Sequence, residues 1–127
     1  MDILEILKSD YERFPDAQTY SIYDPNVYFK DPLNEFHGIK RYRQMIGLIN
    51  TWFSDIKLEL HAISRTDNTI STRWTLGMTP PLPWKPRLAI PGRSQLKLNT
   101  NGQIIAHLDY WDISRLDVLR QNFFTPF

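Results

Sequence analysis

Apolar positions near the start of the chain keep helical spacing. Ile3, Leu4, Leu7, Tyr11 and Phe14 form one stripe. Asp2, with Glu5 three residues on, is a helix start signal, and Pro15 ends the helix by forcing its predecessor out of the α region. Residues 16–26 read as a helical turn or loop around Tyr20 and Tyr23, and Val27 to Lys30 as a short strand closed by Asp31-Pro32. Gly38 opens a second helix, whose stripe is Ile39, Tyr42, Ile46, Ile49 and Phe53. The period then changes from helical to two. Over 56–64, Ile56, Leu58, Leu60 and Ala62 share one face, while Lys57, Glu59 and His61 share the other. After the turn Arg65-Thr66-Asp67-Asn68, residues 69–79 alternate again, with Ile70, Thr72, Trp74, Leu76 and Met78 against Ser71, Arg73, Thr75 and Gly77.

Residues 80–92 break this pattern. Five prolines, Pro80, Pro81, Pro83, Pro86 and Pro91, cannot donate to a ladder, so an irregular arm is expected. Strand character returns near Ser94 to Asn99. Asn101-Gly102 then marks a hairpin, because Asn-Gly supports positive φ. The last strand covers 103–111. A final helix follows over 113–123, with Ser114 and Asp117 as its capping box. Helices beside a run of strands imply an α+β fold in one domain over residues 1–127, with helices covering one face of a curved antiparallel sheet.

Composition narrows the function classes. With 127 residues, a net charge of +1 and 42% hydrophobic residues, the chain reads as one folded globule with no general electrostatic reason to bind nucleic acid. Absence of cysteine excludes disulfides, zinc-thiolate sites and thiol catalysis. No stretch approaches the ~20 apolar residues that span a bilayer. Met1-Asp2-Ile3-Leu4-Glu5 lacks the basic and apolar run of a secretion signal, so a cytoplasmic protein is the expectation.

Candidate chemistry lies in the last strand, Gly102-Gln-Ile-Ile-Ala-His-Leu-Asp-Tyr-Trp-Asp112. His107, Asp109 and Trp111 are two residues apart and share a face. Asp109 and His107 are the residues for acid/base work, or Asp109 is a structural acid paired with Arg73. His61 would join the same space. Two histidines and an aspartate are metal ligands by type, but their spacing matches no ligand motif, and no metal or cofactor is expected.

The element order resembles the nuclear transport factor 2-like superfamily, whose curved sheet wraps a pocket as a cone. Three marks carry the resemblance: Val27-Tyr28-Phe29-Lys30-Asp31-Pro32 before Gly38-Ile39, the Asn101-Gly102 hairpin, and His107-Leu108-Asp109-Tyr110-Trp111-Asp112 before a helix. Trp52-Phe53-Ser54-Asp55 and the Pro-Trp arm look most like an uncharacterised branch from photosynthetic organisms. The closing strand is also similar to that of limonene epoxide hydrolases and SnoaL-like polyketide cyclases. That likeness implies that Asp109 faces a pocket and handles protons, with His107, Asp31, Phe29 and Arg73 lining it. Phe29 lacks a tyrosine hydroxyl, and Thr75 stands where a second carboxylate would be, so an Asp-Arg-Asp water-activating set is incomplete.

Two parities compete. Packing logic turns Leu58, Leu60, Trp74 and Leu76 inward, whereas the resemblance turns His107 and Asp109 inward. If His61 and Arg73 join the second pair, then Trp74, Leu76, Leu58, Leu60 and Leu108 form an outer apolar patch, and a homodimer through that face is expected. The expected function is a pocket that binds a largely apolar small molecule. The alternatives are a cofactor-free isomerase, cyclase, dehydratase or hydrolase using Asp109, and a protein-interaction scaffold using the sheet face or the Trp84 arm.

Overall fold

The computed structural model of the chain describes residues 2–123. Helix α1, Ile3–Arg13, starts where the Asp2 carboxylate accepts the Leu4 backbone N–H at 3.3 Å, and ends at Phe14, next to Pro15. A single 3-10 turn over Tyr20–Ile22 leads into β1, Tyr23–Lys30. β2, Glu35–His37, pairs back on β1. Helix α2 runs over Ile39–Trp52. Four long strands follow: β3 Ser54–Thr66, β4 Thr69–Thr79, β5 Leu88–Leu98 and β6 Ile104–Trp111. Helix α3, Arg115–Arg120, is shorter than the sequence stripe implies, and the Ser114 hydroxyl caps it by accepting the Asp117 N–H at 3.0 Å.

One six-stranded sheet results, in the order β2-β1-β6-β5-β4-β3. It is curved and unclosed, and antiparallel except where β1 runs parallel to β6. This is the expected α+β cone with one parallel seam. β2 and the first half of β5 are additions. Pro91 was expected to exclude residues 88–92 from the sheet, yet it pairs with Thr75 inside β5. Its carbonyl accepts the Asp112 N–H beyond the end of β6, and its nitrogen faces the same edge, so no ladder bond to β4 is lost.

Alternation along β5 shows which face is inside. Leu88, Ile90, Gly92, Ser94, Leu96 and Leu98 are buried, while Ala89, Arg93, Gln95 and Lys97 are exposed. Paired residues share a face, so Trp74 opposite Gly92, Leu76 opposite Ile90 and Asp109 opposite Ser94 all point into the cone. Both competing parities therefore turn inward together. This corrects the expected outer patch: Trp74, Leu76 and Leu58 line the interior, Leu60 sits across from Trp74 on that side, and only Leu108 keeps the outer parity. Lys57, Glu59, Arg73, Gln95 and Lys97 occupy the outer face instead.

Gly92 makes room for Trp74. It lies between Trp74 and Trp111 on neighbouring strands. A Cβ at this position would sit 2.5 Å from Cη2 of Trp74 and 2.6 Å from the Tyr110 carbonyl oxygen. Overpacking of this kind costs roughly 1–3 kcal/mol. Gly92→Ala should lower the denaturant midpoint accordingly, and adding Trp74→Leu should recover part of the loss. Equal midpoints for Gly92→Ala and the parent would show that the indole is not confined there.

The arm, residues 80–87, packs on its own chain. The Trp84 indole N–H donates to the Asn122 carbonyl, and its ring stacks on Phe123 at 6.3 Å between centroids. Gln121 completes the attachment. Its side-chain Oε1 accepts the Ala89 N–H at 2.9 Å, and its Nε2 donates to the Ala89 carbonyl at 3.0 Å. No helix among the described residues is long and apolar enough to cross a membrane.

Candidate functional site

Between the sheet and the helices lies a cavity of about 320 Å³. α1 contributes Leu7, Tyr11 and Phe14 to its wall, and α2 contributes Tyr42, Met45, Ile46 and Ile49. These are the apolar stripes of the two helices, so the forces that build the core also shape the cavity. Val118 of α3 and the loop Asp31–Asn34 stand at its ends.

Asp109 is the polar centre of this wall. Its Oδ1 accepts two hydrogen bonds, from Ser94 Oγ at 2.5 Å and from His107 Nε2 at 2.8 Å. The serine is itself held by the Trp74 indole N–H at 2.8 Å. Oδ2 accepts nothing among the described residues. Side-chain exposure is 19% for Asp109 and 9% for His107, so the carboxylate is the more open of the two. His107 lies against the rings of Phe29, Tyr23 and Tyr42 at centroid distances of 5.0, 6.1 and 5.5 Å. Its Nδ1 is 3.4 Å from the Tyr23 hydroxyl, which is 3.4 Å from that of Tyr42. One tautomer satisfies every atom: Tyr42 donates to Tyr23, Tyr23 donates to Nδ1, and Nε2–H donates to Asp109.

Burial raises the nearby phenols. Tyr11 is pushed from the usual 10 to about 12, mainly by desolvation and further by the Asp109 charge, while its hydrogen bond to Thr72 Oγ1 at 3.0 Å opposes the rise. Although much of the Tyr11 residue is partly exposed, its hydroxyl end is enclosed against Thr72, so the phenol feels the interior. Tyr23 and Tyr42 are raised further for the same reason. All three keep their protons at neutral pH and can donate.

Of the residues singled out in the sequence, His107, Asp109, Trp111, Phe29 and Asp31 line the cavity. Phe29 and Asp31 follow from the inward parity of β1, in which Val27 and Phe29 are buried. The Asp31 carboxylate is occupied by its own loop: it accepts the N–H groups of Leu33 at 2.8 Å and Asn34 at 2.6 Å, and the Asn34 side-chain amide. Two assignments are corrected. Arg73 and His61 are on the outer face, where His61 Nε2 lies 2.7 Å from Thr75 Oγ1. β4 cannot turn Arg73 inward without expelling Trp74. No arginine therefore reaches Asp109, and an Asp-Arg-Asp set is not assembled.

Sequence reasoning missed Ser94, Tyr11, Tyr23 and Tyr42 as site residues. Ser94 could have been found, because it is the one hydroxyl on the apolar parity of β5 between Ile90 and Leu96. Among the described residues no group of three or more metal-ligating side chains gathers in one place.

The fold is shared with known structures. A nuclear transport factor 2-like protein of unknown function from Exiguobacterium sp. 255-15 is 22% identical with a TM-score of 0.70, over 87% of this chain and 98% of that one. A hypothetical protein with a ketosteroid isomerase-like fold from Catenulispora acidiphila, solved in complex with trimethylamine, is 14% identical with a TM-score of 0.76, over 96% and 94%. An LEH-like epoxide hydrolase from M. tuberculosis is 12% identical with a TM-score of 0.70, over 93% and 84%. At these identities the likeness is one of fold, and that fold is nuclear transport factor 2-like. No curated protein matches the chain in sequence. Residues 1–107 match the family described as "Uncharacterized conserved protein (DUF2358)", and the chain belongs to that family.

Proposed function

We propose that the chain is a small-molecule pocket protein that holds a largely apolar ligand in the cone, with Asp109 Oδ2 as the polar anchor. The observation that carries this reading is the cavity of about 320 Å³ between sheet and helices, with one uncommitted carboxylate oxygen in its wall. Ligand pockets typically span roughly 300–1,000 Å³, mostly apolar with a few placed polar groups.

The experiment fills the cavity. Leu76→Trp adds bulk to an inward-facing lining residue. A neutral apolar dye, N-phenylnaphthylamine, should gain fluorescence with the parent protein and bind the variant at least ~10-fold more weakly, a difference of about 1.4 kcal/mol. Equal binding by the two proteins would place the dye elsewhere and remove the proposal.

A second reading is favoured by the His107–Asp109 hydrogen bond of 2.8 Å. Here Asp109 transfers a proton in a cofactor-free isomerisation, cyclisation, dehydration or hydrolysis, and His107 with Ser94 holds the carboxylate in place. The scaffold reading has less support from the arm, because the Trp84 indole N–H donates to the Asn122 carbonyl and its ring stacks on Phe123. A homodimer is not part of the proposal, since the residues expected to drive it line the cavity.

A further inference from the structure

We infer that the ligand of this cavity is an apolar amine, held as its ammonium ion by Asp109. The inference rests on the cavity being the binding site and adds the chemical class of its occupant. Three observations carry it.

Charge comes first. Asp10, Asp31 and Asp109 line the cavity, and no lysine or arginine does so among the described residues. Asp10 is fully engaged by Arg13 at 2.6 Å and by the Thr19 hydroxyl and N–H at 2.8 and 3.0 Å. Asp31 is engaged by its loop. Only Asp109 has an oxygen left over. An anionic ligand would lose its water here and find no cation, which is costly. An ammonium group would find a carboxylate acceptor, and charge-assisted hydrogen bonds are roughly twice as strong as neutral ones.

The second observation is that Tyr11, Trp74 and Trp111 line the same cavity as Asp109. Trp74 reaches the carboxylate through Ser94, Trp111 follows Asp109 on the same face of β6, and Tyr11 feels the Asp109 charge. Aromatic faces attract cations by about 0.5–2 kcal/mol, more where water is excluded. They offset part of the cost of desolvating an ammonium ion and do nothing similar for a carboxylate.

The third is the orientation of His107. Its Nε2 lies 2.8 Å from Oδ1, so the imidazole engages that oxygen and leaves Oδ2 without a partner among the described residues.

The test uses three ligands on one frame, cyclohexylmethylamine, cyclohexylmethanol and cyclohexanecarboxylate, titrated by calorimetry near neutral pH. The amine should bind at least ~10-fold more tightly than the alcohol, and the carboxylate should bind most weakly. In Asp109→Asn the amine should fall to the level of the alcohol. An alcohol that matches the amine, or a carboxylate that exceeds it, overturns the inference while leaving the pocket in place. So does failure of all three where N-phenylnaphthylamine still binds. If the dye fails as well, both the pocket and its amine are overturned. The series on the parent protein decides the matter even if Asp109→Asn does not fold.

Discussion

Raising the pH from 10 to 12 should strongly destabilise the protein. Tyr11, Tyr23 and Tyr42 are all raised by burial, Tyr11 to about 12. In the unfolded chain the same phenols ionise near 10. The folded state therefore holds its protons to higher pH than the unfolded state. Their contribution to stability is fully present below pH 10 and is lost as pH rises through the folded values. Each phenol removes about 1.4 kcal/mol per pH unit once its unfolded counterpart is ionised, so the three together remove roughly 4 kcal/mol per unit. Losses of that size are a large share of a total stability of about 5–15 kcal/mol. Urea midpoints measured along this range should fall steeply, and tyrosinate absorbance from the buried residues should rise with the loss of circular dichroism. Tyr23→Phe combined with Tyr42→Phe should flatten the fall. A midpoint that holds level to pH 12 would mean that these hydroxyls are in contact with water.

Asp109→Asn should abolish nearly all turnover if the protein is an enzyme. The substitution preserves shape, and an amide oxygen can still accept from Ser94, but it removes the group that can exchange a proton. General acid–base catalysis contributes about 10²–10⁴-fold, and the loss in kcat should fall in that range with the melting temperature near the parent's. His107→Asn acts one bond further back. It should lower kcat less, because it changes how the carboxylate is held and leaves the carboxylate itself in place. An activity that survives Asp109→Asn would move the chemistry to another group lining the cavity, such as the phenol of Tyr11.

Much of this architecture could be read from the chain. Helical stripes on α1 and α2, alternation on β3 and β4, and the Asn101-Gly102 turn are local signals, and local signals survive folding. The seam of the sheet was not legible. β1 meets β6 in parallel across most of the sequence, and a parallel pairing leaves no turn between its strands. β2 was missed because three residues cannot display a period. The site was half legible for a geometric reason. His107, Asp109 and Trp111 share a strand, so parity alone unites them. Arg73 and His61 belong to other strands, where their direction depends on register, and register is settled by Trp74 needing the space above Gly92. Tyr23 and Tyr42 reach His107 from the start of β1 and from a helix, and nothing in either segment records that meeting.

Gln121 has a consequence for colloidal behaviour. β6 ends opposite Gly92 and Asp112 reaches only as far as the Pro91 carbonyl, so the Ala89 N–H and carbonyl of β5 project past the end of their neighbour strand. A bare stretch of that kind is a template for adding a strand from another molecule. The Gln121 amide fills the place that strand would take, with one acceptor and one donor matched to Ala89. A single side chain at the C-terminal cap of α3 thus serves as a minimal β-strand, and the resistance of this edge to self-association rests on that one amide.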